Sequence, residues 1–299
     1  MARNDRRRDY PYQMSQTFVK DQYYYEDFKG GAKPLLYVVS ATGIPTLATT
    51  VAGQGVVFEA QTGHGYWQVF NTTDQAVLPF LTAGSGLNIS GDLVANEALE
   101  LVPGGNLANS RLAFTAGTDS DFFFKAKFKI TDADGSDQFL MGFRKQEAFA
   151  VPTSFLSTGD GIYTDFFGVG FASAVASPNN VFTASDLNNA GSTVATDTGF
   201  NWADTLAHTL EVRVIGRKTL VLINGIAIGN PIAIDGDGAA ITSQDTLSTP
   251  SFTFDSGDVL VPFIFLRHDT AVSEAHLLQE VEVGRLVDIG KDPNNETTY

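Results

Sequence analysis

Cysteine is absent from the chain. That excludes disulfides and thiolate metal sites, and with them a small disulfide-stapled scaffold. Basic residues are scarce: 19 Lys and Arg stand against 34 Asp and Glu, for a formal net charge of −15 and a pI near 4.5. A nucleic-acid-binding body is therefore not expected, because phosphate contacts need Lys and Arg. Long apolar runs are missing as well. No stretch reaches the roughly 18 residues of a membrane-spanning helix, so no membrane partner is expected. The charged N-terminus lacks the apolar segment of a secretory signal. The four histidines, His64, His208, His268 and His276, include no pair at metal-ligating spacing. Neither H-E-x-x-H, G-x-S-x-G nor a P-loop occurs.

What is present points to sheets. The 299 residues suffice for one large all-β domain or two ordinary ones. The 29 Gly and 23 Phe, against 2 Trp and 3 Met, suit many turns around an aromatic-filled core. From Leu35 onward the pattern is short apolar segments bounded by turn residues: LLYVVS (35–40), GVVFEA (55–60) and GYWQVF (65–70). In DFFFKAKFKI (121–130), Phe124, Ala126, Phe128 and Ile130 alternate with Lys125, Lys127 and Lys129. Period 2 with one fully apolar face is a half-buried strand, and lysines on its solvent side would guard it at a sheet edge. FLMGFRK (139–145) reads as another strand, and DFFGVGF (165–171) as one buried on both faces. Residues 172–200, rich in Ser, Ala, Asn and Thr, read as loops with one short strand.

HTLEVRVIGRKTLVLINGIAIGNP (208–231) reads as consecutive antiparallel strands. Leu210, Val212 and Val214 are expected inward, with Leu220 and Leu222 repeating the pattern after a turn at Gly216. Asn224-Gly225 supplies the positive φ values of a type I′ hairpin. VLVPFIFLRHD (259–269) and LLQEVEVGRLVDI (277–289) give late strands. The expected architecture is an all-β, antiparallel jelly-roll β-sandwich over residues 34–290, between an extended N-terminal arm (1–33) and a polar C-terminal tail (291–299).

The arm holds Arg3, Arg6, Arg7 and Arg8 and five of the nine tyrosines, Tyr10, Tyr12, Tyr23, Tyr24 and Tyr25. Tyr and Arg carry interface energy efficiently, so these residues are the candidate partner-binding set. A basic arm on an acidic body suits an acidic neighbour, including another copy of the chain, and a homo-oligomer is expected.

No catalytic residues, metal ligands or cofactor are assigned, and the chain is expected not to be an enzyme. DADGSD (132–137) imitates the start of a calcium loop, but its glycine comes too early and no glutamate stands at the twelfth position. Calcium is therefore secondary there to a polar turn. DGDG (235–238) and the pair Asp255 and Asp258 likewise read first as turns. Glu280 and Glu282 have the spacing of two carboxylates on one strand face, yet alternate with valines as any half-buried strand would. For a glycan-binding reading, which needs exposed aromatics, the candidates are Trp67, Trp202 and His208, each as easily a core or strand-end residue.

NWADTLAHTLEVRV, LVLINGIAI, FTFDSGDVLVPFIFLRHD and LLQEVEVGRLVDI, spanning Asn201 to Gly290, resemble concanavalin A-like and laminin G-like jelly rolls. With FTAGTDSDFFFKAKFKITDADGSDQFLMGFRK (114–145), the pattern is similar to virion proteins of tailed bacteriophages, particularly marine and cyanobacterial phages. The resemblance covers somewhat over half the chain, and its motifs are structural. It implies a non-enzymatic structural virion protein on the phage capsid surface. The leading role is capsid decoration or cementing, with the arm docked on the major capsid protein or other virion proteins. The alternative is a lectin-like glycan-binding module for host-surface attachment on head or tail.

Overall fold

A computed structural model describes residues 23–28, 36–39, 45–47, 56–59, 66–71, 80–82, 85–90, 97–105, 110, 112–133, 137–148, 163–171, 179–188, 194–228, 252–268 and 275–286. Among them no α-helix occurs. The strands begin with β1 (Tyr24–Asp27), β2 (Leu36–Val39), β3 (Pro45–Leu47), β4 (Val56–Glu59), β5 (Tyr66–Asn71), β6 (Phe80–Thr82) and β7 (Gly86–Asn88). They continue with β8 (Ala98–Pro103), β9 (Phe114–Thr115), β10 (Phe122–Ile130), β11 (Asp137–Lys145), β12 (Phe166–Phe171) and β13 (Asn180–Asp186). The last are β14 (Val194–Asn201), β15 (Ala207–Ile215), β16 (Lys218–Ile223), β17 (Ile226–Ile228), β18 (Val259–His268) and β19 (His276–Arg285).

They make two sheets. The smaller has eight strands in the order β17-β16-β15-β10-β19-β7-β6, with β1 also on β19. The larger has eleven, β14-β13-β12-β11-β18-β8-β5-β4-β2-β3, with β9 also on β18. Every pairing is antiparallel. The sheets face each other across one core. Phe122, Phe124, Ala126, Phe128 and Ile130 from β10 meet Phe139, Met141 and Phe143 from β11. Ring pairs knit the layers together: Phe114 stacks on Phe122 at 4.6 Å, and Phe128 meets Phe139 edge-on at 4.7 Å. Such pairs each add about 0.5–1.5 kcal/mol beyond area burial.

The alternation read from β10 places its faces correctly, but the strand is central rather than at an edge, between β15 and β19. Its lysines therefore meet carboxylates across the ladder. Lys125 lies 2.9 Å from Glu282, and Lys127 lies 3.5 Å from Glu280. Directly opposite residues of an antiparallel pair share a face, so the outer surface of the small sheet is a charge ladder.

In the β15–β16–β17 ribbon Gly216 takes φ 68 and Asn224 and Gly225 take φ 53 and 80, as the turn residues predict. The expected inward facing of Leu220 and Leu222 is corrected. The two-residue turn at Gly216-Arg217 pairs Ile215 with Lys218, Val212 with Val221 and Leu210 with Ile223. Val221 and Ile223 thus join the core between the sheets, while Leu220 and Leu222 lie on the opposite face, where Leu222 is still only 8% exposed. A register offset of one residue exchanges the two faces of a strand. Residues 172–200, expected as loops with one short strand, contain two, β13 and β14.

The arm expected over 1–33 differs at its described end. Residues 24–27 form β1, paired with β19. Tyr24 and Phe28 are 3% and 2% exposed and belong to the core.

The outer face of the large sheet carries its own buried layer. Leu140, Tyr163, Phe166, Ala184, Phe263, Phe265 and Ala98 form a second apolar cluster. Beside it Arg144, fully buried, donates from Nε (3.0 Å) and Nη2 (2.6 Å) to Glu100 Oε1. Tyr163 donates to Glu100 Oε2 at 2.6 Å, and the guanidinium lies 4.3 Å from the Tyr163 ring centroid. Burial works against the charge on Arg144, but the Glu100 carboxylate outweighs it and raises the guanidinium's pKa. On the same face Gly142 pairs with Gly168. A methyl on Gly142 would run into the Phe167 carbonyl and come within 2.7 Å of the Gly168 Cα.

Candidate functional site

At one end of the large sheet four chain segments converge. β11 ends at Lys145, β12 is preceded by Asp165, β13 is followed by Asn188, and β18 is preceded by the turn Asp255–Asp258. The β11–β12, β12–β13 and β11–β18 pairings set these ends side by side. Backbone bonds lock them in place: Lys145 N donates to Asp165 O at 2.8 Å, and Gln146 N to Val259 O at 2.8 Å. Glu147 grips the residue before Asp165, accepting from Thr164 N at 2.6 Å and from Thr164 Oγ1 at 2.7 Å. In the Asp255–Asp258 turn, Gly257 takes φ 93, a conformation that glycine adopts without steric cost.

Carboxylate oxygens of Asp165, Asp255 and Asp258 lie within 4.8 Å of one another, a set that could hold a metal ion. Asp165 and Asp258 are buried and Asp255 is exposed. The Lys145 ammonium donates to Asp258 Oδ1 at 2.8 Å and Asp165 Oδ2 at 3.0 Å. These bonds, Asp258 first and then Asp165, push the lysine's pKa well above its ordinary value. Asn188, at φ 57, donates its backbone N–H to Asp165 Oδ1 (2.8 Å) and its side-chain amide to Asp255 Oδ2 (3.0 Å). Asparagine tolerates this left-handed conformation better than most residues. The rim thus combines carboxylate acceptors with amide and ammonium donors. Asn188 is exposed at its surface.

The residues singled out from sequence fall elsewhere. Trp67, a candidate for glycan binding, is fully buried and donates from Nε1 to Tyr24 Oη at 2.6 Å. Trp202 is 2% exposed and packs on His208 at 4.6 Å between ring centroids. His208, 8% exposed, has Nδ1 2.9 Å from Asn224 Nδ2 and supports the hairpin. All three rings are buried, in the core or strand-end places that the sequence left open for them. Of the arm set, Arg3, Arg6, Arg7, Arg8, Tyr10 and Tyr12 lie outside the described residues. Tyr23 donates to Glu282 Oε1 at 2.9 Å, Tyr24 is buried, and Tyr25 is 37% exposed. Glu280 and Glu282 belong to the lysine ladder. Asp134 in the 132–137 segment and all of 235–238 are also outside the described residues.

Asp255 and Asp258 are turn residues, as read, and also members of the rim. Their partners Lys145, Asp165 and Asn188 were not anticipated. The only local signals are a charged residue abutting a strand end and an Asn at a strand exit.

No protein-family model and no curated protein matches the chain. Solved structures are similar to the chain at low identity. The carbohydrate recognition domain of Emp47p is 11% identical, covering 91% of this chain and 100% of its own, with a TM-score of 0.47. The Ca2+/Man2-bound exoplasmic/lumenal domain of VIP36 is 8% identical, covering 93% of each chain, with a TM-score of 0.45. A Trypanosoma rangeli sialidase is 12% identical, covering 85% of this chain and 30% of its own, with a TM-score of 0.43.

Proposed function

We propose that the chain is a non-enzymatic, lectin-like binding module that takes a glycan at the rim formed by Lys145, Asp165, Asn188, Asp255 and Asp258. The observation that carries this reading is the convergence there of fixed acceptors and donors from four chain segments. Neighbouring hydroxyls of a sugar present donor and acceptor together. A carboxylate and an amide held side by side, like Asp255 and Asn188, match that pattern. Hydrogen bonds to charged groups contribute about 1.5–3 kcal/mol each, so a few suffice for a weak, specific contact. Trp67 and Trp202 are buried, so recognition rests on polar groups rather than on these rings.

A glycan array with and without calcium tests this, comparing wild type with Asp255→Ala and Asn188→Ala. Binding to a defined glycan class that falls at least about tenfold in either variant is expected. Binding unaffected by both would move the site elsewhere, and no binding to any glycan would reject the reading.

As the setting we propose a phage virion, with residues 1–22 contacting a capsid protein or another copy of the chain. The sequence resemblance and the Arg-rich, Tyr-rich composition of that segment support it. Labelling of purified particles, with and without residues 1–22 on the protein, tests this independently of any glycan.

A further inference from the structure

β17 (Ile226–Ile228) is the outermost strand on one side of the small sheet, and among the described residues nothing pairs with its outer side. Sheet edges are ordinarily guarded by charges, proline or a bulge, because their open backbone groups recruit other strands. β17 has none of the three. Residues 219–234 carry no charge at all. Ile226 is 69% exposed, and Ala227 beside it is exposed too.

The phase of the ladder decides which backbone groups face outward, because successive residues of a strand turn their N–H and C=O to opposite sides. Asn224 N donates to Thr209 O at 2.8 Å, toward β15, and Thr219 N donates to Phe252 O at 3.0 Å, away from it. Leu222 therefore bonds to β15, while Val221 and Ile223 bond to Ile228 and Ile226 of β17. Ala227, between those two, aims its N–H and C=O out of the sheet. The sequence around it is a palindrome: NGIAIGN (224–230) reads the same in both directions, with Ala227 at its centre. A two-fold axis through an antiparallel pair sets residue i against j and j against i. Centred on Ala227, it makes one hydrogen-bonded pair in which each Ala227 N–H donates to the other's C=O. On either side Ile226 meets Ile228 of the second copy, at the closer spacing of non-hydrogen-bonded pairs. These isoleucines lie on the face of Val221 and Ile223, so each would cover apolar surface of the other.

We propose that β17 is a dimer edge: it pairs antiparallel with β17 of a second copy of this chain and joins the two small sheets into one. The neutrality of the edge favours a copy as the occupant. Each molecule carries a net charge of −15, so two copies repel across most of their surfaces. At this edge no charge opposes another. One hydrogen-bonded pair flanked by isoleucines is a small contact by the measure of stable dimers. The pairing is therefore weak, dependent on concentration, and strengthened by salt, which screens the repulsion. It uses neither the rim nor residues 1–22, and it does not rest on the reading of either.

Sedimentation velocity of the full chain over a concentration series, in low and in high sodium chloride, tests this on wild type, Ala227→Pro and Ile226→Lys. Wild type is expected to move from the 32.1 kDa monomer toward twice that mass as concentration rises, and further in high salt. Ala227→Pro removes the outward donor without touching a bond inside the sheet, and Ile226→Lys puts a charge on the edge. Each is expected to weaken association at least about tenfold and to leave the far-ultraviolet circular dichroism unchanged. A wild type that stays monomeric overturns the proposal. So does a dimer that either variant leaves intact, which would place the contact on another face or on residues 1–22. Should these variants not fold, disulfide trapping decides, since the chain has no cysteine of its own. Across the two-fold the Cα atoms of position 227 lie about 5.5 Å apart, within disulfide reach. Ala227→Cys is expected to give a covalent dimer on oxidation. Leu206→Cys, at a position 57% exposed beside β15 and so two strand spacings further from the axis, is expected not to. No cross-link at 227, or equal cross-linking at both positions, overturns the proposal.

Discussion

Arg144 and Glu100 sit fully buried on the outer face of the large sheet, each satisfied by the other and by Tyr163 or backbone carbonyls. Taking both charges from water is costly, and their attraction only roughly offsets that cost. Losing one partner is worse than losing both. Glu100→Leu alone is expected to lower stability by about 3–5 kcal/mol, and Glu100→Leu with Arg144→Met by much less. Urea denaturation of the two variants checks this, and equal losses would show that packing rather than charge dominates there. At this scale the sequence was partly legible. FRK at 143–145 reads as the end of a strand, but nothing local says that Arg144 turns into a buried layer while Lys145 meets two aspartates. Asp255 and Asp258 are recognisable as turn residues from TFDSGD alone. Their partners at 145, 165 and 188 are assembled by strand pairing, which no local pattern encodes.

β1 was hidden for a different reason. Its four residues alternate Tyr24 and Glu26 inward with Tyr25 and Asp27 outward, too short a run beside the Arg-rich segment to stand out. Its burial makes it part of the sandwich. Truncation of residues 1–28 is expected to cost roughly 3 kcal/mol or more relative to truncation of 1–22, through loss of Tyr24 and Phe28 from the core. Thermal melts of the two truncated proteins measure the difference; coincident melts would mean that β1 adds nothing. The faces of β10 were legible, because Lys at every second position fixes their parity, but its central place in the sheet was not. β16 was not. TLVLI is apolar on both parities, so the turn length at Gly216-Arg217, rather than the strand itself, decides which residues are buried. β13 and β14 escaped because Ala, Ser, Thr and Asn leave no apolar period to detect.

For the molecule as a whole, a net charge of −15 sets repulsion against the local ion pairs of the small sheet. Exposed pairs such as Lys127–Glu280 contribute about 0–1 kcal/mol each and weaken in salt. The repulsion acts over the whole surface and is screened as the Debye length falls to about 10 Å at 0.1 M salt. The second effect is expected to win, giving a melting temperature roughly 2–4 °C higher in 0.2 M than in 0.01 M sodium chloride. A lower melting temperature in salt would show the ladder to be the stronger contributor. The strand order carries one more consequence. β18 and β19 come last in the chain but lie inside both sheets: β18 between β11 and β8, and β19 between β10 and β7. A ribosome making this protein must deliver β18 and β19, more than a hundred residues after β10 and β11, before either sheet can close. Until then the Phe-rich faces of β10 and β11 wait without their neighbours, so synthesis of β18 and β19 sets the moment of folding, and the nascent chain is most exposed to aggregation just before these strands emerge.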